Sequence, residues 1–168
     1  PHIFEKMFSE VGEKMNDHLE LIKINPLFRY MFEDSNLIYD SNFSLIEKNV
    51  NNKNIKELDN FYDFMTKASK LYNLSENTFF KNEILSTPSP KDLINLIKSP
   101  FTLFFKKYSD LVNKTFVDDR LRKIFLRYPT YVGASPYKSQ GILSIIPFME
   151  LSFGGWYVKG GLYRIIES

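Results

Sequence analysis

A glycine-rich aromatic segment near the carboxyl end constrains the fold of this chain more than any other feature. Four of the seven glycines lie within residues 154–161, and the single tryptophan, Trp156, lies among them. Glycine lets the backbone pass where a side chain would not fit, and it adopts positive φ without strain. Residues 156–158 are therefore predicted to form a short strand, and Gly160-Gly161 a turn into a helix that begins at Leu162.

Composition excludes several kinds of site. Of the 168 residues, 43% are hydrophobic and 25% are charged, which is typical of one globular domain. The absence of cysteine rules out disulfides, thiol catalysis and cysteine-ligated metal centres. Two histidines, His2 and His18, offer little for a metal site or a Ser-His-Asp triad. Since the sequence has no apolar run of about 20 residues and no signal peptide, we expect a cytoplasmic protein without a membrane span.

The aromatic content of the chain and the distribution of its basic residues are both unusual. Aromatic residues make up 16% of the chain, which fits either the codon bias of an AT-rich genome or a surface that holds a long apolar ligand. Residues 91–127 carry nine basic and four acidic side chains. This segment fits either peripheral contact with anionic lipid or a solvated helix face, and its helix-core spacing argues against nucleic acid. The basic side chains concerned are Lys106, Lys107, Arg120, Arg122 and Lys123, and the stretch from Leu93 to Phe105 would dip into the lipid.

The apolar period of the first forty residues changes from helix to strand. Residues 3–19 place seven apolar side chains on one side, which predicts a single amphipathic helix. These are Ile3, Phe4, Met7, Phe8, Val11, Met15 and Leu19. Residues 27–32 and 37–39 have strand character and flank residues 33–36, which predicts a hairpin with a four-residue loop. One face of its first strand would carry Phe28, Tyr30 and Phe32.

Helical spacing dominates after residue 44. Asn54 and Glu57 predict a capping box that opens a helix to about Tyr72, with Ile55, Leu58, Tyr62, Met65 and Ser69 inward. Further helices are predicted from Ser89-Pro90, over 108–116, from Asp118-Asp119 to Tyr128-Pro129, and over 139–151 with Pro147 as a kink or near the start. The predicted fold class is α+β, with helices packed on a small mixed or antiparallel sheet in one domain, 1–168.

Several motifs follow one another in the last third of the chain. They are Asp118 to Phe125, Gly133-Ala134-Ser135-Pro136, Ile146-Pro147-Phe148-Met149-Glu150, and Gly154-x-Trp156-Tyr157-x-x-Gly160-Gly161. An amino-terminal pattern adds Phe8, Gly12, Asp17, Leu21, Tyr30 and Phe32. Together these motifs resemble the FAD-dependent carotenoid desaturases, the phytoene and dehydrosqualene desaturase family, and the dehydrosqualene branch is the more similar.

The resemblance implies a fragment of a larger enzyme. In that family, FAD sits on a G-x-G-x-x-G βαβ unit, a motif that occurs nowhere in this chain. The chain would then be the substrate domain of an amine-oxidase-like oxidoreductase, inactive and without FAD until joined to its FAD-binding domain. The substrate would be an apolar C30 or C40 isoprenoid. Two alternatives stay open: a retinol-saturase-like flavin oxidoreductase, and a lipid-binding or interaction module without catalysis.

The resemblance also suggests site residues. Phe148, Met149, Trp156 and Tyr157 would line the substrate channel, although core packing explains the aromatic residues equally well. Gly160 and Gly161 would approach the flavin, or they would simply form a turn that needs positive φ.

Two carboxylates need separate consideration. Asp92 matches an acid/base position of the family, although Asn95 stands where the family has the arginine of a charged pair. Helix capping is favoured, because Asp92 at the third helical position satisfies amide donors. Glu150 is interpreted as a buried, hydrogen-bonded residue rather than a base.

Overall fold

A computed structural model describes residues 1–33, 36–39, 55–76 and 105–168. Several predicted features lie outside these residues. They are Asn54, Asp92, the helix predicted from Ser89-Pro90 and most of the apolar stretch from Leu93.

Helices account for most of the described chain. In order, the elements are α1 (His2–Glu10), α2 (Met15–His18), β1 (Leu21–Lys23), β2 (Phe28–Met31), β3 (Asn36–Tyr39), α3 (Ile55–Ser75), α4 (Tyr108–Thr115), α5 (Asp119–Leu126), α6 (Ile145–Phe153), β4 (Trp156–Val158) and α7 (Arg164–Glu167). Strand β1 pairs antiparallel with β4, and β2 pairs antiparallel with β3. This arrangement confirms the predicted α+β class with small antiparallel sheets.

The predicted hairpin is confirmed. Phe28 pairs with Tyr39 and Met31 pairs with Asn36, so the four-residue connection is 32–35, one residue earlier than predicted. The three aromatic side chains predicted to share one face are half-buried and pack on the same core; they are Phe28, Tyr30 and Phe32.

The single helix predicted over residues 3–19 is wrong. Helix α1 ends at Glu10, and Gly12 adopts φ +81° before the short helix α2 begins. A left-handed residue interrupts the helical path, so the apolar stripe is divided. Its exposed members are Ile3, Met7 and Val11, whereas Phe4, Phe8, Met15 and Leu19 pack together.

Helix α3 buries a face that was not predicted. Met65 is buried as expected and Leu58 packs against the core, but Tyr62 is exposed and Ser69 only half-buried. The buried apolar stripe is Phe61, Phe64, Met65, Ala68, Leu71 and Tyr72. The two stripes lie one residue apart, so α3 is rotated by about 100° relative to the prediction.

The main core lies where α3, α4, α5, α6 and the hairpin meet. Phe125 on α5 is at its centre, with ring centroids 4.5 Å from Phe116, 4.9 Å from Phe64 and 6.2 Å from Phe61. A separate small cluster joins Met15, Leu19 and Val158. We call residues 1–24 and 154–168, which surround this cluster, the terminal lobe.

The predictions for the last thirty residues mostly hold. Residues 139–151 contain a 3₁₀ turn, Gly141–Ser144, followed by α6 with Pro147 near its start. The short strand is β4, and the next helix begins at Arg164, two residues later than predicted. None of the helices in the described ranges is long and apolar enough to cross a membrane.

Candidate functional site

The four predicted channel residues lie on two consecutive elements. Phe148 and Met149 belong to α6, and Trp156 and Tyr157 belong to β4. Phe148 is half-buried, and its ring centroid lies 5.4 Å from that of Tyr72 on α3. Phe148 therefore packs between helices, whereas the side chain of Met149 is exposed.

Trp156 and Tyr157 face opposite sides of the β1–β4 ribbon, because successive side chains of a strand alternate. The indole N–H of Trp156 donates to the carbonyl oxygen of Phe153 at 2.9 Å. Since its polar atom is bonded within the chain, the exposed 39% of Trp156 is largely apolar ring. It lines a cleft of about 360 Å³ whose apolar lining includes Met15 and Leu21. The structure thus does not place all four predicted residues on one wall.

Gly160 and Gly161 form the turn between β4 and α7. Their φ angles are +86° and +97°, which favour glycine at both positions. A Cβ at Gly160 would lie 3.2 Å from Cγ of Arg164, whereas a Cβ at Gly161 would meet no atom within 4 Å. Backbone conformation accounts for both glycines, and the open space beside Gly161 leaves its backbone accessible.

The described residues do not fit a dinucleotide cofactor on their own. A dinucleotide fold holds its pyrophosphate on a helix that follows a strand of a parallel sheet. Both sheets in the described ranges are antiparallel, and α7, which follows the Gly160-Gly161 turn, has four residues. At most, this turn could touch a cofactor that is held elsewhere.

A cluster of three tyrosines, an arginine and a glutamate lies beside α6. We call it the tyrosine–glutamate cluster; its members are Tyr30, Arg127, Tyr128, Tyr131 and Glu150. Tyr128 donates its hydroxyl to Oε1 of Glu150 at 2.7 Å, and Tyr131 donates to Oε2 at 2.6 Å. Arg127 donates from Nη2 to the Tyr30 hydroxyl at 2.8 Å, and Nη2 lies 3.6 Å from Oε1 of Glu150. The cluster joins the hairpin, the end of α5 and helix α6.

Aromatic rings surround the Arg127 guanidinium. Its Cζ lies 4.6 Å from the ring centroid of Phe28, 4.8 Å from that of Tyr128 and 5.1 Å from that of Tyr131. Ring faces attract a cation, and this attraction strengthens where water is excluded. The Nε atom of Arg127 is buried and has no hydrogen-bond partner, so the rings and the Nη contacts hold the charge.

The cluster raises the pKa of each of its tyrosines. Burial raises the pKa of Tyr128 well above 10, and the nearby Glu150 raises it further. Burial also raises the pKa of Tyr30, against the opposing effect of Arg127. For Arg127, burial opposes the charge, but the hydrogen bond to Tyr131 and the nearby tyrosines outweigh it and raise the pKa. The hydroxyls of Tyr128 and Tyr131 donate to the two oxygens of Glu150, which supports a structural role for this carboxylate.

This cluster leads to a prediction for alkaline pH. An unfolded tyrosine ionises near pH 10. Because the folded-state pKa of Tyr128 is higher, the unfolded state releases its proton first, and stability falls as pH rises above about 10. Tyr128→Phe should make this decline shallower, although it should cost about 1 to 3 kcal/mol at pH 7 because Glu150 loses a donor.

Urea unfolding between pH 7 and pH 11 measures both effects. Tyr137→Phe, at an exposed position, is the matched control and should leave the pH slope unchanged. An unchanged alkaline slope in Tyr128→Phe would contradict the prediction.

Several cations predicted to face a membrane are engaged around the start of α5. Arg120 pairs with Asp118 at 2.6 Å, Lys123 pairs with Asp119 at 2.8 Å, and Nε of Arg122 donates to the Phe116 carbonyl oxygen at 2.7 Å. The side chains of Lys106 and Lys107 are exposed. Membrane contact through this segment stays a prediction.

The sequence alone did not single out Arg127 or Tyr131. In the sequence, Tyr128-Pro129 marks the end of a helix, and the spacing of three between Tyr128 and Tyr131 is the available signal. The contact between Tyr30 and Arg127 spans 97 positions, so neither helical nor strand periodicity could reveal it.

The chain matches known proteins along its whole length. It is 27% identical to 4,4'-diapolycopene oxygenase of a Methylomonas species and 28% identical to zeta-carotene-forming phytoene desaturase of Myxococcus xanthus, and both matches cover 100% of the chain. It is 33% identical, over 78% of the chain, to 1-hydroxycarotenoid 3,4-desaturase of a Flavobacterium species. No protein-family model matches. The chain spans about a third of the length of the first two relatives, which it covers by 34% and 33%.

Proposed function

We propose that this chain, which belongs to the carotenoid desaturase family, forms part of the substrate domain of a flavin-dependent enzyme that desaturates an apolar C30 or C40 isoprenoid. The observation that carries the proposal is the end-to-end match to relatives named as phytoene and diapophytoene desaturases. The relatives' names favour this function over both a retinol-saturase-like enzyme and a module without catalysis.

Exposed apolar side chains on α6 and on β4 support the proposal. Trp156 presents ring surface to a cleft, and Met149 is exposed on the preceding helix. A hydrocarbon substrate is held by apolar burial at about 25 cal/mol per Å², with few directional contacts. Trp156 is therefore proposed as a channel wall. Phe148, which packs on Tyr72, would support that wall from behind, and Tyr157 would contact a different surface.

The cofactor of the whole enzyme is proposed to be FAD, which accepts hydride when bound. Sequence outside residues 1–168 would hold it, and the chain by itself would be inactive. The accessible backbone at Gly161 supports at most one contact with that cofactor. Asp92 stays a candidate for acid/base work, with helix capping as its alternative.

The test begins with the reading frame around these residues. A strand followed by G-x-G-x-x-G upstream would supply the missing flavin site, and the whole protein would then be assayed with phytoene, dehydrosqualene and retinol. Trp156→Ala should lower kcat/KM for the preferred isoprenoid about 10- to 100-fold, since about 1.5 to 3 kcal/mol of apolar contact is lost. Tyr137→Ala, at an exposed position away from β4, is the control.

Three results would reject the proposal. They are a reading frame without a flavin motif, a purified whole protein without flavin, and turnover of retinol alone. Equal activity of the Trp156→Ala and control variants would show that Trp156 does not line the channel.

A further inference from the structure

The terminal lobe, all of whose residues are described, has a very small core. Its buried apolar side chains are Met15, Leu19 and Val158, and Phe4, Phe8, Leu21 and Ile165 are partly buried around them. The main core, in the described residues, contains thirteen buried side chains. Hydrophobic burial has to offset the entropy of ordering the chain, and three buried side chains offset little of it.

The same lobe exposes a large amount of apolar surface. Ten of its large apolar side chains are exposed: Ile3, Met7, Val11, Ile22, Ile24, Trp156, Tyr157, Leu162, Tyr163 and Ile166. Single exposed apolar residues are ordinary, but a concentration of them on one small unit marks an interaction surface.

One face of the β1–β4 ribbon shows this exposure most clearly. Leu21 and Val158 point to the core of the lobe, so their neighbours Ile22 and Tyr157 point away from it. Ile22 and Tyr157 are direct cross-strand partners and are 45% and 50% exposed. Ile24 extends the same face. A two-stranded ribbon is marginal alone and gains stability when such a face is covered.

Charge argues against an anionic bilayer as the cover. The lobe has five basic and six acidic side chains, so it lacks the positive excess that attracts anionic lipid. Polypeptide is the better occupant, and the relatives indicate its source. They match this chain end to end, yet they are about three times as long, so each contains much additional chain.

We infer that the exposed apolar surface of the terminal lobe, apart from Trp156 on the opposite face of the ribbon, is an internal interface, covered in the whole protein by polypeptide outside residues 1–168. The inference rests on the proposed function in taking the protein to be longer than this chain. The contact is assigned to the ribbon face with Ile22 and Tyr157 and to the exposed sides of α1 and α7. The side chains of the main core are buried without this contact.

Cysteine labelling of the whole protein tests this interface. Residues 1–168 contain no cysteine, so Ile22→Cys and Ile166→Cys each introduce one reporter here. Val117→Cys and Val132→Cys are controls at positions that are 62% and 59% exposed outside the lobe. Maleimide labelling, read at each peptide by mass spectrometry in lipid-free buffer, should be at least tenfold slower at the lobe positions. Circular dichroism would verify that each variant folds.

Equal labelling rates at lobe and control positions would overturn the inference. Protection that disappears on dilution would also overturn the inference, because a second copy of the protein would then cover the surface. Protection that requires added lipid vesicles would overturn it as well, because lipid would then cover the surface. Labelling needs neither flavin nor turnover. A protected lobe in a protein without desaturase activity would support the interface and reject the proposed function. An accessible lobe in an active desaturase would reject the interface and support the proposed function.

Discussion

Phe125→Ala should lower the free energy of unfolding by about 3 to 5 kcal/mol, which is a large part of the stability of a typical domain. Phe125 is 0% exposed and contacts the rings of Phe61, Phe64, Phe116 and Tyr128. Its removal loses apolar burial and leaves a cavity among rigid rings, which relax poorly into the space. Chemical denaturation at neutral pH measures the loss.

The matched control is Phe105→Ala, because Phe105 is 76% exposed. Its effect should stay within about 0.5 kcal/mol. If the two variants were equally stable, Phe125 would not be at the centre of the main core.

Glu57→Ala should destabilise the protein by about 2 to 4 kcal/mol, because it breaks a link between α3 and α5. Glu57 lies in the first turn of α3 and is 4% exposed. Its Oε1 accepts from the backbone N–H of Val117 at 2.6 Å and of Asp118 at 2.8 Å. Without the carboxylate, both donors lose their acceptor, and hydrogen bonds to charged groups are the stronger ones.

The conservative variant separates hydrogen bonding from charge. Glu57→Gln keeps an oxygen at Oε1 and should cost about half as much, but not zero, because its new N–H₂ group replaces Oε2, which is buried without a partner. Glu10→Ala, at an exposed acid paired with Lys6, should change stability by less than about 0.5 kcal/mol. A loss in Glu57→Ala no greater than in Glu10→Ala would contradict the prediction. Unfolding in urea at pH 7 compares the three variants.

The features that the sequence predicts well depend on nearby residues. The start of α5 is one example, since Asp118 accepts from the backbone N–H of Arg120 at 2.8 Å. The hairpin is another, because alternation and a short loop fix its register within twelve residues. Strand β4 was also predicted, because glycines flank its aromatic residues.

The features that the sequence does not predict depend on distant partners. In α3, Phe61 and Tyr62 are adjacent aromatic residues, so helical periodicity alone allows two apolar faces. Packing against Phe125 of α5 selects the face with Phe61. Strand β1 pairs with β4, which lies more than 130 positions away, so local periodicity cannot reveal this pairing. The split of the first helix depends on Gly12, whose effect the surrounding apolar spacing concealed.

The candidate site divides in the same way. The sequence indicates Trp156, Tyr157 and Glu150, because they belong to recognisable motifs. Arg127 was not found, because its importance arises from rings that the fold brings together from the hairpin and from the turn after α5.

The close approach of Gly155 to the segment after β1 has a consequence for sequence variation. A Cβ at position 155 would lie 2.6 Å from Cδ2 of Leu27, and the Gly155 carbonyl oxygen already accepts from the Ile24 amide at 2.9 Å. This hydrogen bond holds the backbone at 155 in place, so the side chain of Leu27 has to move instead. Since Cδ2 is the end of a flexible side chain, a residue larger than glycine at 155 is accommodated either by a rotamer change of Leu27 or by a smaller residue at 27. The packing at positions 27 and 155 is therefore coupled, although the two lie 128 positions apart in the chain.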